Sequence, residues 1–233
     1  MAYFRGVADR SALPVVLYSS ASDEGFVLPA EVVMELAGHP KVLGMADGSG
    51  DRARMQAIMT GTASYKRDVT VTAVFAAVTG RMQSRIEGAE AKDLILATAL
   101  TDGGAAVATS SKTIAKTRTK NVRFQVLSGR SDWMLEGLRS GAVGAMPAFA
   151  AAAPQACYEV LAAWKDGDEG LAEEKQIRLQ DVAVRIERQM GVAGIKFGCD
   201  LNGYFGGRPR LPLLPLTGEE RTEIEALMQG MRN

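Results

Sequence analysis

Histidine and cysteine, which often carry out catalysis or bind metals, are few in this sequence of 233 residues. The single histidine, His39, would have to anchor any zinc site or Ser-His-Asp triad, which disfavours both arrangements. The two cysteines, Cys157 and Cys199, lie in apolar segments without CxxC spacing, so we expect buried free thiols rather than a disulfide or a metal pair. We therefore expect no metal site and no cofactor.

A group of glycine, serine and aspartate residues follows one apolar segment of the sequence. Asp47 and Asp51 flank a Gly-Ser-Gly sequence, where the carboxyl end of a strand would present functional groups to a ligand. Backbone N–H groups of this loop could bind an anion at the start of the next helix. The same two aspartates also suit a turn and a helix N-cap, and neither position requires a function.

Apolar periodicity predicts that strands and helices alternate along the chain. Strands are predicted at residues 13–18, 41–45, 122–127 and around 142–146, and β-branched content favours another at 68–75. Helices are predicted at residues 28–37, 52–59, 133–140, 154–164, 171–190 and 218–231. This alternation indicates a parallel sheet with helical crossovers, so the expected fold class is α/β.

Composition and charge restrict the partners that we expect. Apolar residues make up 47% of the chain and charged residues 23%, as in ordinary globular proteins. Lys plus Arg and Asp plus Glu both total 27, so neither nucleic acid nor an anionic membrane is an expected partner. Residues 1–10 lack the apolar core of a signal peptide, and the apolar stretch at 141–154 is too short to span a bilayer. We expect a cytoplasmic protein.

Six segments, taken in order, resemble the dihydrodipicolinate synthase/N-acetylneuraminate lyase family. They are LPVVLY at 13–18, HPKVLGMADGSGD at 39–51, FQVLSG at 124–129, GAVGAMPAFAAAAP at 141–154, GIK at 194–196 and GYFGGRPRLPL at 203–213. The second of them is similar to the family's segment hpnivGiKdssGD. The resemblance implies a (β/α)8 TIM barrel, usually in homotetramers, with its site at the carboxyl ends of the strands.

The resemblance places the chain on strands five to eight of that barrel and on the C-terminal helices. We therefore expect a single partial TIM-barrel domain over residues 1–233, with an inserted segment at about 60–120. The first four βα units have no counterpart, which would leave open sheet edges. Three explanations stay open: the chain is truncated, it pairs with another half-barrel, or the inserted segment fills the gap.

The family's chemistry, as the resemblance implies it, uses a lysine and a tyrosine. The lysine amine attacks the ketone of a 2-oxo acid to form a Schiff base, and the tyrosine hydroxyl transfers protons. Ala46 stands at the lysine position, so this mechanism cannot run at that strand. Tyr18 matches the catalytic tyrosine, although a plain core tyrosine would also fit a strand end. Lysines that could replace the missing nucleophile, or simply form a solvated face, are Lys66, Lys112, Lys116 and Lys120.

The resemblance also implies which residues contact the substrate. Gly129 and Met146 match positions near the bound 2-oxo acid, and Asp47 lies in the loop beside the lysine position. Asp23 replaces a carboxylate-binding arginine of the synthases and would repel an acid group, which argues against synthase activity but not against every lyase. Ala151 stands where the family often has asparagine.

Two functions of different kinds remain open. The first is a divergent carbon–carbon lyase of the aldolase type that acts on a 2-oxo acid or a similar carbonyl compound. The second is a catalytically inactive or truncated barrel that binds a small carboxylic acid or assembles with homologues. In both cases the resemblance implies a homo-oligomer.

Overall fold

The computed structural model describes residues 1–20, 27–73 and 116–231. The first part contains α1 (Ala2–Arg10), β1 (Val15–Ser19), α2 (Ala30–Ala37), β2 (Val42–Asp47), α3 (Arg52–Gly61) and β3 (Lys66–Ala73). The part from residue 116 onwards begins with β4 (Lys116–Arg123), β5 (Gln125–Ser128), α4 (Met134–Arg139), β6 (Gly144–Ala145) and a 3₁₀ turn (Ala148–Ala151). The C-terminal part contains α5 (Pro154–Asp166), α6 (Glu169–Ala183), a π-helical turn (Val184–Gln189), α7 (Gly191–Leu201) and α8 (Gly218–Met228).

A four-stranded parallel sheet in the order β1-β2-β5-β6 forms the centre of the fold. Tyr18 pairs with Ala46, Ala46 pairs with Leu127, and Leu127 pairs with Gly144. These four residues therefore lie side by side across the sheet. Parallel neighbours that are joined through helices confirm the α/β alternation predicted from the sequence.

Helices cover one face of this sheet. Leu17, Met45 and Val126 are at most 3% exposed and pack in one cluster with apolar residues of α2 and α3. Because side chains alternate between the two faces along a strand, Val16 and Tyr18 point the other way, and each is 46% exposed. The second face is therefore open where these two residues lie.

A second apolar cluster lies among the C-terminal helices. Phe149 of the 3₁₀ turn is fully buried there together with Ile186 of the π turn and Ile224 of α8. Burial of one large apolar side chain stabilises a fold by about 1.5–3 kcal/mol. The C-terminal helices thus have a core of their own, distinct from the cluster beneath the sheet.

The helix ends follow local sequence signals. The Asp51 carboxylate accepts the backbone N–H of Arg54 (3.1 Å) and caps α3. Thr217 and Glu220 form a reciprocal capping box at the start of α8. Gly167 ends α5 with a φ of +77°, a left-handed conformation that costs glycine little.

Several element boundaries differ from the prediction, and two of these differences reflect a change in backbone geometry. The predicted strand at 122–127 is divided at Phe124, between the end of β4 and the start of β5. Phe124 is buried and its N–H donates to the Tyr65 carbonyl (3.2 Å), so the backbone leaves one sheet before it enters the other. The predicted helix at 171–190 changes from α to π geometry at Val184.

The chain divides into two compact units, residues 1–67 with 122–233 and residues 68–121. The second unit lies within the range expected for the inserted segment. β3 and β4 pair as a two-stranded sheet. The description of residues 1–233 as one domain stays a prediction.

We expect Phe149→Ala to destabilise the fold strongly, because it would leave a cavity in the cluster of the C-terminal helices. Loss of a buried aromatic ring costs about 3–5 kcal/mol, which urea or thermal unfolding would report as a lower midpoint. Phe205→Ala is the matched control, since Phe205 is 94% exposed. Equal shifts of the midpoint in the two variants would contradict the packing described above.

Candidate functional site

The carboxyl ends of β1, β2, β5 and β6 lie at one edge of the sheet, where parallel α/β folds bind their ligands. Hydrogen bonds join the residues that follow these strand ends. The donor and acceptor pairs are Gly48 N–H to Ser19 O (2.8 Å), Gly129 N–H to Asp47 O (2.8 Å) and Met146 N–H to Ser128 O (2.7 Å). This ladder holds the four strand ends together and fixes the backbone of the predicted site.

Tyr18 and Ala46 are paired neighbours in β1 and β2, and their side chains point to the same face of the sheet. Adjacent strands lie about 4.8 Å apart, so any side chain at position 46 would lie beside the phenol ring. Tyr18 is 46% exposed, whereas Ala46 is fully buried. The structure thus brings the tyrosine together with the position where the resemblance expects a lysine.

Gly129 occupies a position where β2 passes too close for a side chain. A Cβ atom there would lie 2.8 Å from both the Asp47 carbonyl carbon and the Gly48 nitrogen. Such contacts would push the two strand ends apart, so only glycine fits without a backbone shift. Gly129 can therefore contact a ligand only through its backbone.

Met146 directly follows β6 and is 42% exposed. Its thioether side chain is therefore accessible at the end of the outer strand opposite β1. Tyr18 and Met146 are the two predicted site residues whose side chains offer accessible surface. Their roles in binding stay predictions.

Asp47 is the predicted site residue whose surroundings differ most from the expectation. Its carboxylate is 1% exposed and accepts the Ser49 N–H (3.2 Å), the Ser49 hydroxyl (3.0 Å) and the Arg54 Nε–H (3.3 Å). Arg54 also donates to the Leu28 carbonyl (2.5 Å). Strand alternation places the Asp47 side chain on the helix-covered face, opposite that of Tyr18. This geometry favours a role in positioning the loop, and direct contact with substrate stays a prediction.

The backbone N–H groups of the loop after β2 already donate hydrogen bonds within the protein. The Gly48, Ser49 and Asp51 N–H groups donate to Ser19, Asp47 and Ser49 respectively, so they are not available together to hold an anion. Asp51 acts as the N-cap of α3, which is the structural alternative considered from the sequence.

His39 lies at the other end of β2, away from the strand carboxyl ends. Its Nδ1 accepts the Lys41 backbone N–H (3.2 Å) and its Nε2 contacts the Asp9 carboxylate (3.1 Å). These contacts make His39 part of the turn that precedes the strand. Asp23 and Lys112 lie outside the described residues.

Glu187 is a buried acid that the sequence reasoning missed. Its side chain is 7% exposed and accepts the Ser131 N–H (3.3 Å) and the Ala148 N–H (3.1 Å). Burial raises the pKa of its carboxyl group, and hydrogen bonds from the same two residues oppose that shift. Glu187 follows the buried Leu179 and Ala183 at four-residue spacing, so an acid on an apolar helix face was the signal that could have identified it.

Both cysteines are buried and free, as predicted from their apolar context. Burial, together with the charge of Glu187, raises the pKa of the Cys157 thiol to about 12. The thiol is therefore protonated at neutral pH and is a poor nucleophile. Burial also raises the pKa of Cys199, whose Sγ donates to the Ala151 carbonyl (3.2 Å).

The described ranges 1–20, 27–73 and 116–231 also bear on metal binding and on membrane insertion. Within these ranges, no three or more His, Cys, Asp and Glu side chains come together as metal ligands. The helices in the same ranges are too short or too polar for any of them to cross a bilayer.

Comparison with known proteins shows to which protein family the chain belongs. The model of the dihydrodipicolinate synthetase family matches residues 1–71 and 96–231. The chain therefore belongs to this family, and its homologues in the family are lyases. This confirms the resemblance that was inferred from the ordered motifs.

Individual relatives cover different parts of the chain. The 4-hydroxy-tetrahydrodipicolinate synthase of Exiguobacterium sp. is 24% identical over 230 residues, which are 98% of this chain and 58% of that protein. The synthase of Stenotrophomonas maltophilia K279a is 42% identical over 59 residues, 25% of this chain and 20% of that protein. The chain thus spans little more than half the length of the synthase that it matches from end to end.

Solved structures of the family share the fold. A dihydrodipicolinate synthase of Bacillus anthracis matches 100% of this chain and 60% of its own with a TM-score of 0.67 at 20% identity. A prophage protein of E. coli K12 from the same family, solved in complex with pyruvate, matches 99% of this chain and 60% of its own with a TM-score of 0.63 at 21% identity. These matches establish an α/β fold that is similar to the TIM barrels of the family.

We expect Asp47→Asn to destabilise the protein by about 3 kcal/mol, because it removes the charge that compensates the largely buried Arg54. Asp51→Asn is the matched control, since asparagine caps a helix nearly as well as aspartate does. Urea unfolding at neutral pH would measure the free energy of unfolding of both variants. A similar small loss for both would show that Asp47 does not support the loop through Arg54.

Proposed function

We propose that this chain is a divergent carbon–carbon lyase-type protein of the dihydrodipicolinate synthetase family that binds a 2-oxo acid at the carboxyl ends of β1, β2, β5 and β6. In this proposal the Schiff-base lysine is replaced by Ala46, and the protein is a partial barrel that forms homo-oligomers. Tyr18 is the proposed catalytic residue, and Gly129 and Met146 are the proposed substrate contacts. Asp47 supports them by holding the loop after β2.

The pairing of Tyr18 with Ala46 is the observation that carries this proposal. It supports a site in which the phenol of the tyrosine faces the same space as the missing amine. Tyr18 is 46% exposed and Ala46 is fully buried, so a small acid would approach this space from the side of the tyrosine. The pyruvate complex of the E. coli K12 prophage protein supports a 2-oxo acid as the ligand class.

The chemistry of the proposed site follows from the methyl group at position 46. Without an amine at β2, a bound 2-oxo acid stays a ketone there, since an iminium requires a nucleophilic nitrogen. Tyr18 retains a hydroxyl suited to proton transfer. Lyase activity then depends on an amine from another residue.

Three lysines in the described part of the chain already have partners, which disfavours their amines as the replacement nucleophile. Lys41 donates to the Asp9 and Ser11 carbonyls, Lys196 donates to the Gly206 carbonyl, and Lys175 pairs with Glu159. The lysines of the sequence hypothesis that remain as candidates are Lys66, Lys112, Lys116 and Lys120.

A second candidate function is non-catalytic binding or assembly. The outer edge of β1 has no strand beside it in the described part of the chain, and Val16 and Tyr18 are each 46% exposed on the open face. Open edges and exposed apolar faces are surfaces through which proteins assemble. This observation favours a homo-oligomer or an assembly with homologues in which the open face is covered.

The first test restores the missing nucleophile with Ala46→Lys. After incubation with pyruvate and borohydride, we expect about one reduced adduct per chain, mapped to position 46 by mass spectrometry, because the new amine lies beside Tyr18. Ala46→Met is the matched control, since it has a similar length and no amine. In the unmodified protein we expect saturable pyruvate binding by calorimetry and no adduct at β2.

Three outcomes separate the alternatives in this test. An adduct in the unmodified protein on one of the four candidate lysines would show a relocated nucleophile and support lyase activity. Binding without an adduct would favour the non-catalytic function. Neither binding nor an adduct, even in Ala46→Lys, would overturn the proposed site.

We expect Tyr18→Phe, introduced into the Ala46→Lys variant, to slow adduct formation about 100-fold, because proton transfer by the phenol is lost. Quenching the reaction with borohydride at successive times would give the rate. Tyr204→Phe is the matched control, since Tyr204 is similarly exposed at 47% but lies between α7 and α8. Equal rates for the two tyrosine variants would remove Tyr18 from the proposed mechanism.

A further inference from the structure

A single carboxylate connects the two loops that follow β5 and β6. Glu187 Oε2 accepts the backbone N–H of Ser131, two residues beyond Gly129, and its Oε1 accepts the N–H of Ala148, two residues beyond Met146. Each oxygen of the carboxylate thus accepts a hydrogen bond from the loop after a different strand. The carboxylate belongs to the π turn after α6, outside the sheet itself.

Gln176 of α6 holds the first of these loops from the same helical segment. Its Oε1 accepts the Leu135 N–H (2.9 Å), and its Nε2 donates to the Ser131 carbonyl (2.9 Å). Ser131 is therefore bound through its N–H by Glu187 and through its carbonyl by Gln176. Both helix side chains are 7% exposed, so water competes little for these hydrogen bonds.

We propose that Glu187 is a positioning residue that sets the spacing of the loops carrying Gly129 and Met146, and hence the fit of the 2-oxo acid. This inference rests on the proposed function, because Gly129 and Met146 are its proposed substrate contacts. It assigns to the C-terminal helices a part in ligand binding that none of the sequence motifs suggests.

The energetics of a buried carboxylate explain why this spacing is fixed. If either loop moved away, one oxygen of Glu187 would stay buried without its donor, and an unsatisfied buried acceptor of this kind is costly. Asp132 also lies close enough to disfavour the charge of Glu187, so the two N–H donors are needed. The groups near Glu187 and Asp132 also include the Ser131 hydroxyl and the Cys157 thiol. Arg130 and Arg188 contact Asp132.

The π geometry at Val184–Gln189 adds a second observation. A π turn inserts one extra residue per turn and redirects the side chains that follow it, and such turns are frequent at functional sites. Here the redirected segment contains Glu187 and the buried Ile186. One turn therefore supplies both an apolar residue to the core and an acid to the loops.

The test is Glu187→Gln, which keeps the shape of the side chain but replaces one acceptor oxygen with a donor NH₂ group. We expect faster amide hydrogen exchange at Ser131 or Ala148 and about tenfold weaker pyruvate binding, as expected for loss of one hydrogen bond to a charged group. Glu159→Gln is the matched control, since Glu159 of α5 pairs with Lys175 and is partly exposed. We expect this control to change neither measurement.

Two further measurements keep the inference testable if Glu187→Gln does not fold. Glu187→Asp retains the charge but is one methylene shorter, so it can reach only one of the two loops and should weaken pyruvate binding similarly. In the unmodified protein, pyruvate should slow exchange at Ser131 and Ala148 together. If Glu187 had only a structural role, Glu187→Asp would lower the unfolding midpoint and leave pyruvate binding unchanged. Pyruvate would then not slow exchange at Ser131 and Ala148.

The outcomes distinguish this inference from the proposed function. Unchanged pyruvate affinity in a variant with faster loop exchange would overturn the positioning role and leave the proposed function intact. If the unmodified protein binds no pyruvate, the proposed function fails and the role in ligand fit fails with it. The exchange data would then still decide whether Glu187 joins the two loops.

Discussion

The hydrogen-bond ladder across the strand ends is the constraint on which the rest of the structure depends. It extends the parallel pairing by one residue beyond β2, β5 and β6, through the N–H groups of Gly48, Gly129 and Met146. Because one strand passes so close to the next, position 129 excludes any Cβ atom. The buried Asp47–Arg54 pair then fixes the loop behind the ladder. The candidate site is thus built mainly from backbone held by groups on the helix-covered face.

The parts of this site that the sequence predicts are local ones. The strand patterns placed Tyr18 and Ala46 near strand ends, and the family resemblance matched them to the catalytic tyrosine and to the Schiff-base lysine. The partners of Asp47 and Glu187 were not predictable in this way, since Glu187 binds Ser131 across 56 residues and Ala148 across 39 residues. Apolar periodicity reports which face of an element is buried, and it does not report which polar groups meet across elements. The break at Phe124 was missed for the same reason, because it depends on a contact with distant Tyr65.

Ala46 separates two properties that one lysine would combine. In a Schiff-base site, the same side chain binds the ketone and activates it, so affinity and reactivity are linked. Here the strand, the tyrosine and the loop glycine are retained beside a methyl group. In the proposed function, these elements bind a small acid without the covalent electron sink, which is why binding and catalysis need separate tests.

Because the Glu187 carboxylate joins the loops after β5 and β6, these segments are expected to be inherited together. Residues from Ser128 to Glu187 form a single interdependent block, because the loop after β5, the loop after β6 and the π turn each supply one part of the same contact. A recombination event with its crossover inside this block would combine loops of one parent with an acid from another. Exchange of segments between relatives should therefore be tolerated best at the borders of this block, and the C-terminal helices should be inherited together with the last two strands.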